Sequence, residues 1–176
     1  MSKLIPAFNT SDHHSGNQNA SITLVEFGDF ECPHCGRAYP LVQRLIEEMG
    51  NDILFVFRHF PLQESHPHAY MAATAAEAAG KQEKFWPMHH LIFENQQRLN
   101  PGMLKELGES LGLDLQKFAS DWKSGPVQNK VEMDFESGVR SGVNGTPTFF
   151  LNGHPIYTYD ETYESLADAV QAAIKR

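Results

Sequence analysis

The pattern of apolar and polar positions divides the chain into two kinds of segment. Ile22-Thr23-Leu24-Val25-Glu26-Phe27 is an apolar run rich in branched and aromatic side chains, and it predicts a buried strand. Ala38, Leu41, Val42, Leu45, Ile46 and Met49 then recur at helical spacing, with Gly50 as a stop and Pro40 as a bend. Ile53-Leu54-Phe55-Val56-Phe57 is a second continuous apolar run, of the kind found in sheets covered on both faces. Strand, helix and strand within so short a span make a βαβ unit.

From Leu62 to Ser141 no strand pattern occurs and helices are expected throughout. Pro67 to Ala79 holds seven alanines and ends at Gly80, which predicts a helix in close contact with a neighbour. Phe85, Met88, His89, Ile92 and Phe93 mark the next apolar face. Asn100-Pro101 supplies a cap and a proline at the first helical position, followed by Leu104, Leu107, Leu111 and the stop Gly112. Asp114 caps a short helix through Phe118 and Trp122, and Ser124-Gly125-Pro126 breaks it. Val127, Val131, Phe135 and Val139 carry a longer one. Strand pattern then returns as Thr148 to Leu151, the turn Asn152-Gly153, and Pro155 to Tyr157, a hairpin. Tyr163, Leu166, Ala167, Val170 and Ile174 form the face of a last helix, whose negative end suits Lys175 and Arg176.

This order predicts an α/β fold interrupted by a helical insertion. Its parts are a flexible lead-in over 1–20, with room for one short edge strand, a βαβ part over 21–62, the insertion over 63–141, and a ββα part over 142–176. A chain of 176 residues buries a real core, and 41% hydrophobic with 20% charged residues is an ordinary globular balance. A net charge of −8 argues against nucleic acid or an anionic membrane as partner. No run is long enough to span a membrane. Residues 1–20 lack an apolar signal core, so the expected compartment is the cytoplasm, or the periplasm if an export signal has been removed.

The chemistry concentrates in Cys32-Pro33-His34-Cys35, which holds both cysteines of the chain. Two cysteines make no disulfide scaffold at this length, so the pair is catalytic, metal-binding or incidental. The pair falls where strand pattern gives way to helix. There the free N–H groups and the positive end of the helix dipole favour a thiolate at Cys32, with Cys35 one turn along within reach of a disulfide. As half of a zinc site the pair would need two histidines, and His13-His14, His66-x-His68 and His89-His90 do not give the usual H-x3–5-H spacing. Residue 36 is glycine, not the histidine of a haem-attachment motif. His34, as a cation or donor, would stabilise the thiolate and favour the reduced form. Glu26 is a charge inside an apolar strand, either facing solvent at an edge or buried with a raised pKa. Thr146-Pro147, between a glycine and a strand, is either a trans proline opening that strand or a cis bond beside the cysteines. The other histidines, and Phe30, Phe85 and Trp86, are expected as packed or surface residues.

A strand, Cys-x-x-Cys at the head of a kinked helix, and Gly145-Thr146-Pro147-Thr148 before a hairpin resemble a thioredoxin fold. Leu24 to Gly36 in full, Arg58-His59-Phe60-Pro61-Leu62, His66-Pro67-His68-Ala69, Ala75 to Ala79 and Ser141 to Thr148 resemble the bacterial DsbA-like thiol-disulfide oxidoreductases, some of which are fused to sodium/proton antiporters. The likeness runs from about Ile22 onward. It implies Cys32 as attacking thiolate, Cys35 as resolving thiol, and Pro147 as a cis-proline that, with Thr146, faces the pair and holds an extended substrate. It implies Glu26 as a buried acid relaying the proton of Cys35. The helical insertion would sit over the pair as one wall of the substrate groove. Expected partners are protein or peptide thiols and disulfides, with a redox recycling partner or glutathione, and no cofactor beyond the Cys32–Cys35 disulfide itself. Two other classes stay open: a glutathione-linked or isomerase-type enzyme on the same fold, and a non-catalytic metal- or partner-binding module.

Overall fold

The computed structural model describes residues 2–175. Its centre is a five-stranded sheet in the order β1-β3-β2-β4-β5, with β1 at His13–Gly16, β2 at Ile22–Gly28, β3 at Ile53–His59, β4 at Thr148–Leu151 and β5 at His154–Pro155. β2 and β3 pair in parallel through α1 (Pro33–Met49), and every other pairing is antiparallel. Between β3 and β4 lie α2 (Ala69–Gly80), α3 (Phe85–Glu94), a 3-10 turn at Gln96–Arg98, α4 (Pro101–Ser110), α5 (Leu115–Trp122) and α6 (Gly125–Arg140). The chain closes with α7 (Tyr163–Ile174). This is the α/β sheet with inserted helices that the residue pattern predicts, in the thioredoxin fold that the family resemblance implies.

The continuous apolar runs of β2 and β3 are explained by burial on both faces. Ile22, Leu24, Phe55 and Phe57 join Phe149 in a core that α1, α3 and α7 cover. Val25, Phe27, Leu54, Val56 and Phe150 face the other way, against Leu4, Phe60, Val143 and, from α6, Phe135. Each fully buried side chain of this size contributes about 1.5–3 kcal/mol. Gly138 lets α6 approach closely, since a Cβ there would lie 2.5 Å from the Phe60 ring and 3.1 Å from Phe27. All seven alanines of α2 are buried, so the helix contacts neighbours on most of its circumference. Asn100 and Asp114 cap as expected, accepting from the N–H groups of Met103 and Lys117.

Three expectations are corrected. The lead-in is tied down rather than flexible: the short edge strand it had room for forms as β1 beside β3, Leu4 is buried, and Asp12 meets the buried Arg58 through two 2.8 Å contacts. Arg58 also donates to the carbonyls of Pro6 and Ala7 and to Ser137 Oγ, so one guanidinium joins the N-terminal segment, β3 and α6. The second hairpin strand is His154–Pro155, earlier and shorter than Pro155 to Tyr157, because Tyr157 swings out to 79% exposure. Val139 and Ile174, assigned to apolar faces, are exposed: Val139 points outward from a turn whose Ser137 and Gly138 are buried, and Ile174 is the last residue of α7. Arg176, expected with Lys175 at the end of α7, lies outside the described residues. No helix among the described residues is long and apolar enough to cross a membrane.

Candidate active site

The site forms where β2 runs out into the loop that opens α1. Cys32 is the N-cap of α1 with extended backbone (φ −68°, ψ 122°), and Pro33 takes the first helical position, where its missing N–H costs nothing. Cys35 is fully buried on the inner face of the first turn, and both cysteines are free thiols. The Cys32 thiol donates to the Thr146 carbonyl at 3.4 Å, and the Thr146–Pro147 bond is cis. So the structure brings Cys32, Cys35 and Thr146-Pro147 together across 114 residues of sequence.

The Cys32 thiol is pushed down from 9.0 to about 5. The largest cause is a hydrogen bond from the Cys35 thiol, which outweighs burial, and the backbone N–H groups of Cys35 and His34 add to it. These are the free donors of a helix N-terminus. Cys35 moves the opposite way, well above 9.0, first because it is buried and also because it donates to Cys32 and lies near the Glu26 charge. One thiol is thus poised as a thiolate and its neighbour is held protonated.

Glu26 sits on β2 between Phe57 of β3 and Phe149 of β4, so the edge position is ruled out. It is 3% exposed, and its Oε1 has no hydrogen-bond partner among the described residues. Burial, then the nearby Cys32 charge, raises its carboxyl from 4.5 to about 8. His34 reaches Cys32 through its backbone N–H, while its imidazole Nδ1 contacts Glu161 and, at 2.7 Å, Arg37.

Residues that the sequence reading passed over do much of the positioning. Asp29 is 1% exposed; Oδ1 accepts from the N–H groups of Glu31 and Cys32, and Oδ2 from Leu62 N–H and at the His66 ring. Its own N–H donates to Cys35 Sγ at 3.4 Å. A local signal existed, because an aspartate just ahead of a helix start commonly accepts such N–H bonds. Gln96, from the 3-10 turn of the inserted helices, donates to the carbonyls of Phe30 and Cys32 at 2.9 and 2.8 Å. Its side chain fits because residue 36 is glycine, where a Cβ would overlap the Gln96 amide. Tyr159 packs its ring on Phe149, and its hydroxyl is buried without a partner among the described residues. A groove of about 420 Å³ runs from Pro147, lined by Thr148, Phe149, Ile156, Tyr157 and Tyr159 among others and by neither cysteine.

Of the remaining histidines, His59 and His89 are buried. His59, Glu77 and Asp134 form the group of metal-capable side chains that the described residues bring together, and it includes neither cysteine. There Glu77 Oε1 meets the rings of His13 and His59 at 2.7 and 2.8 Å, and Asp134 pairs with Lys130.

Comparison with known proteins agrees with the fold. A family model described as Thioredoxin matches residues 9–172. The chain is 42% identical over 173 residues to Na(+)/H(+) antiporter NhaA 1 of Salinispora arenicola, covering 97% of this chain and 26% of that protein. It is 42% identical over 142 residues to Na(+)/H(+) antiporter NhaA of Herminiimonas arsenicoxydans, covering 81% of this chain and 22% of the relative. The chain therefore spans about a quarter of the length of the curated relatives it matches. Among solved structures, a thioredoxin-like oxidoreductase from Silicibacter pomeroyi DSS-3 superposes with a TM-score of 0.83 at 26% identity, over 96% of this chain and 95% of that one. BdbD from Bacillus subtilis, in its oxidised form, gives a TM-score of 0.83 at 23% identity, over 94% of each chain.

Proposed function

The chain belongs to the thioredoxin family, and from that premise we propose that it is a thiol-disulfide oxidoreductase acting on protein or peptide substrates. One observation carries the reading: at one helix start, Cys32 is lowered to about 5 while the buried Cys35 beside it is raised. Thiol exchange needs this asymmetry, a nucleophile that is ionised at neutral pH and a resolving thiol that waits.

In the reducing direction the Cys32 thiolate attacks one sulfur of a substrate disulfide. The substrate S–S bond breaks, one substrate sulfur leaves as a thiolate, and a Cys32–substrate mixed disulfide forms. Cys35 then loses its proton and attacks Cys32 Sγ, so the second substrate thiol departs and the protein holds a disulfide. Two electrons have moved to the substrate, and the protein's own sulfurs carried them, so the step calls for no metal or organic cofactor. Run backwards, the same steps oxidise a substrate dithiol.

Glu26 suits the proton of Cys35, and its timing follows from electrostatics. Part of what raises its carboxyl is the Cys32 charge, and that charge is gone once the mixed disulfide has formed. The carboxylate then forms more readily, at the stage where Cys35 requires a base. The Thr146 carbonyl and the groove past Pro147 offer an extended substrate backbone acceptors and walls beside the sulfur.

A nucleophile near 5 lies between those of thioredoxin and DsbA, so a couple between their roughly −270 and −120 mV is expected. A couple more oxidising than thioredoxin's works best where thiols are not held reduced, outside the cytoplasm. The test is equilibration in graded glutathione buffers followed by alkylation of free thiols. Both cysteines should convert together within that range, and Cys35→Ser should accumulate the mixed disulfide. A pair that never exchanges refutes the reading, and a value at thioredoxin's end makes the protein a cytoplasmic reductase.

A further inference from the structure

The loop ahead of α7 places a carboxylate over the first turn of α1. Glu161 accepts from Arg37 Nε at 3.0 Å and from Arg37 Nη2 at 3.4 Å, and contacts His34 Nδ1. These groups are 124 and 127 residues away in sequence. The backbone of Glu161 is held in the left-handed region, φ +68°, where a side-chain-bearing residue is uncommon and glycine is favoured. Its neighbours enforce that conformation. Asp160 Oδ1 accepts from Thr162 N–H and Oγ1, Asp160 N–H donates to Ser165 Oγ, and Thr162 caps α7 by accepting from Ser165 N–H. A strained residue, braced on both sides, aims its carboxylate at two side chains of the first turn that follows Cys32.

The groups with charge or protons to exchange around Cys32 are Glu26 from β2, Asp29 from the loop that follows it, Cys35, His34 and Arg37 from α1, and Tyr159 and Glu161 from the loop ahead of α7. Only His34 and Arg37 among them can be cationic, and Arg37 feels the Cys32 charge. Left free, both side chains could lean toward the sulfur and stabilise its thiolate. Glu161 occupies them instead.

Resting on the dithiol reading above, we propose that Glu161 is a positioning residue that neutralises the first turn of α1 and holds the Cys32–Cys35 couple at a lower potential than that turn would set alone. Through it, a loop remote in sequence tunes how strong an oxidant the disulfide is. Since the pairs are exposed and screened, the effect is modest and depends on salt.

The test compares the wild-type protein with Glu161→Gln, and with Glu161→Gly, whose backbone suits φ +68° and which therefore keeps the fold. Thiolate absorbance of Cys32 is titrated first, and glutathione equilibrium is measured second. Both variants should titrate at lower pH, and the equilibrium should move about threefold toward the reduced protein, with both differences shrinking in high salt. Midpoints that stay put or rise overturn the proposal. The absorbance titration involves no exchange partner. A protein whose cysteines never exchanged would therefore refute the dithiol reading and still leave the role of Glu161 decided.

Discussion

Replacing Glu26 by glutamine removes a buried carboxyl that feels the Cys32 charge and has no hydrogen-bond partner at Oε1, and its effect on stability follows from the structure. Raising a carboxyl from 4.5 to about 8 corresponds to a preference for the neutral over the charged form of about 5 kcal/mol at most. The folded protein binds a proton that the unfolded chain releases above pH 4.5. The stabilising contribution is therefore fully present below that value, declines as pH rises, and is lost once pH passes about 8. Cys32, lowered from 9.0 to about 5, acts in the opposite sense over much of the same range, so the wild-type curve alone mixes the two. The difference between wild type and Glu26→Gln isolates the carboxyl. The amide keeps the size and neutrality of the protonated carboxyl, and no hydrogen bond to Glu26 Oε1 is lost. The reduced variant should match the wild type near pH 4.5 and melt about 10 °C higher at pH 9. In a Cys32→Ser background the gap should narrow, since the thiolate no longer contributes to the shift. Thermal melts of the reduced proteins across that range are the assay. Two curves separated by a constant from pH 4 to 9 would refute the reasoning.

The buried network at Glu77 titrates with the opposite sign. Although burial acts to raise it, hydrogen bonds from His13 and His59 win and hold it far below the usual carboxylate range. Its stabilisation is present at neutral pH and lost on acidification below about 4.5, so Glu77→Gln should cost about 2 kcal/mol at pH 7 and flatten the acid limb of a stability–pH curve. Gly138→Ala places a methyl 2.5 Å from the Phe60 ring and should lower the urea unfolding free energy by about 1–3 kcal/mol. Asp12→Asn leaves the buried Arg58 without its counter-charge and should cost about 3–5 kcal/mol in the same assay.

What could be read from the chain, and what could not, divides along a physical line. The first turn of α1 was legible because its signals are local. An apolar run stops, a proline occupies the first helical position, and the N–H donors that lower Cys32 belong to the next three residues. The two-sided sheet was legible for the same reason, as continuous rather than alternating apolar runs. The N-terminal segment was not, because its polarity hides Leu4 and an aspartate whose partner Arg58 lies 46 residues away. Arg58 itself reads as a strand-end charge, and nothing nearby in sequence signals that it is buried. Gln96 and Tyr159 were illegible for similar reasons, since an ordinary glutamine or tyrosine acquires its role only from the surface it meets. Gly36 did carry a trace of Gln96. A glycine in the first turn of a helix weakens it without local reason, and a close neighbour is the usual explanation.

His34 shows how an argument from spacing can name the right residue and the wrong atoms. Its place between the cysteines suggested an imidazole supporting the thiolate, whereas the contribution comes from its backbone N–H and the ring is taken by Glu161 and Arg37. The distinction has consequences for how the site responds to its surroundings. The Cys35 thiol, which lowers Cys32 most, and the main-chain N–H groups that add to it act in a buried setting, which salt hardly screens. The carboxylate that restrains the turn stands at the surface, where salt and a docking substrate both reach it. A substrate bearing a basic residue near its cysteine could draw Glu161 away from Arg37 and His34, releasing both toward Cys32 in the bound state. Such a substrate would meet a stronger oxidant than glutathione does. Peptide oxidation by the wild type should then favour a lysine or arginine beside the cysteine, and in Glu161→Gln that preference should vanish. A preference that survived the substitution would place its origin elsewhere on the groove.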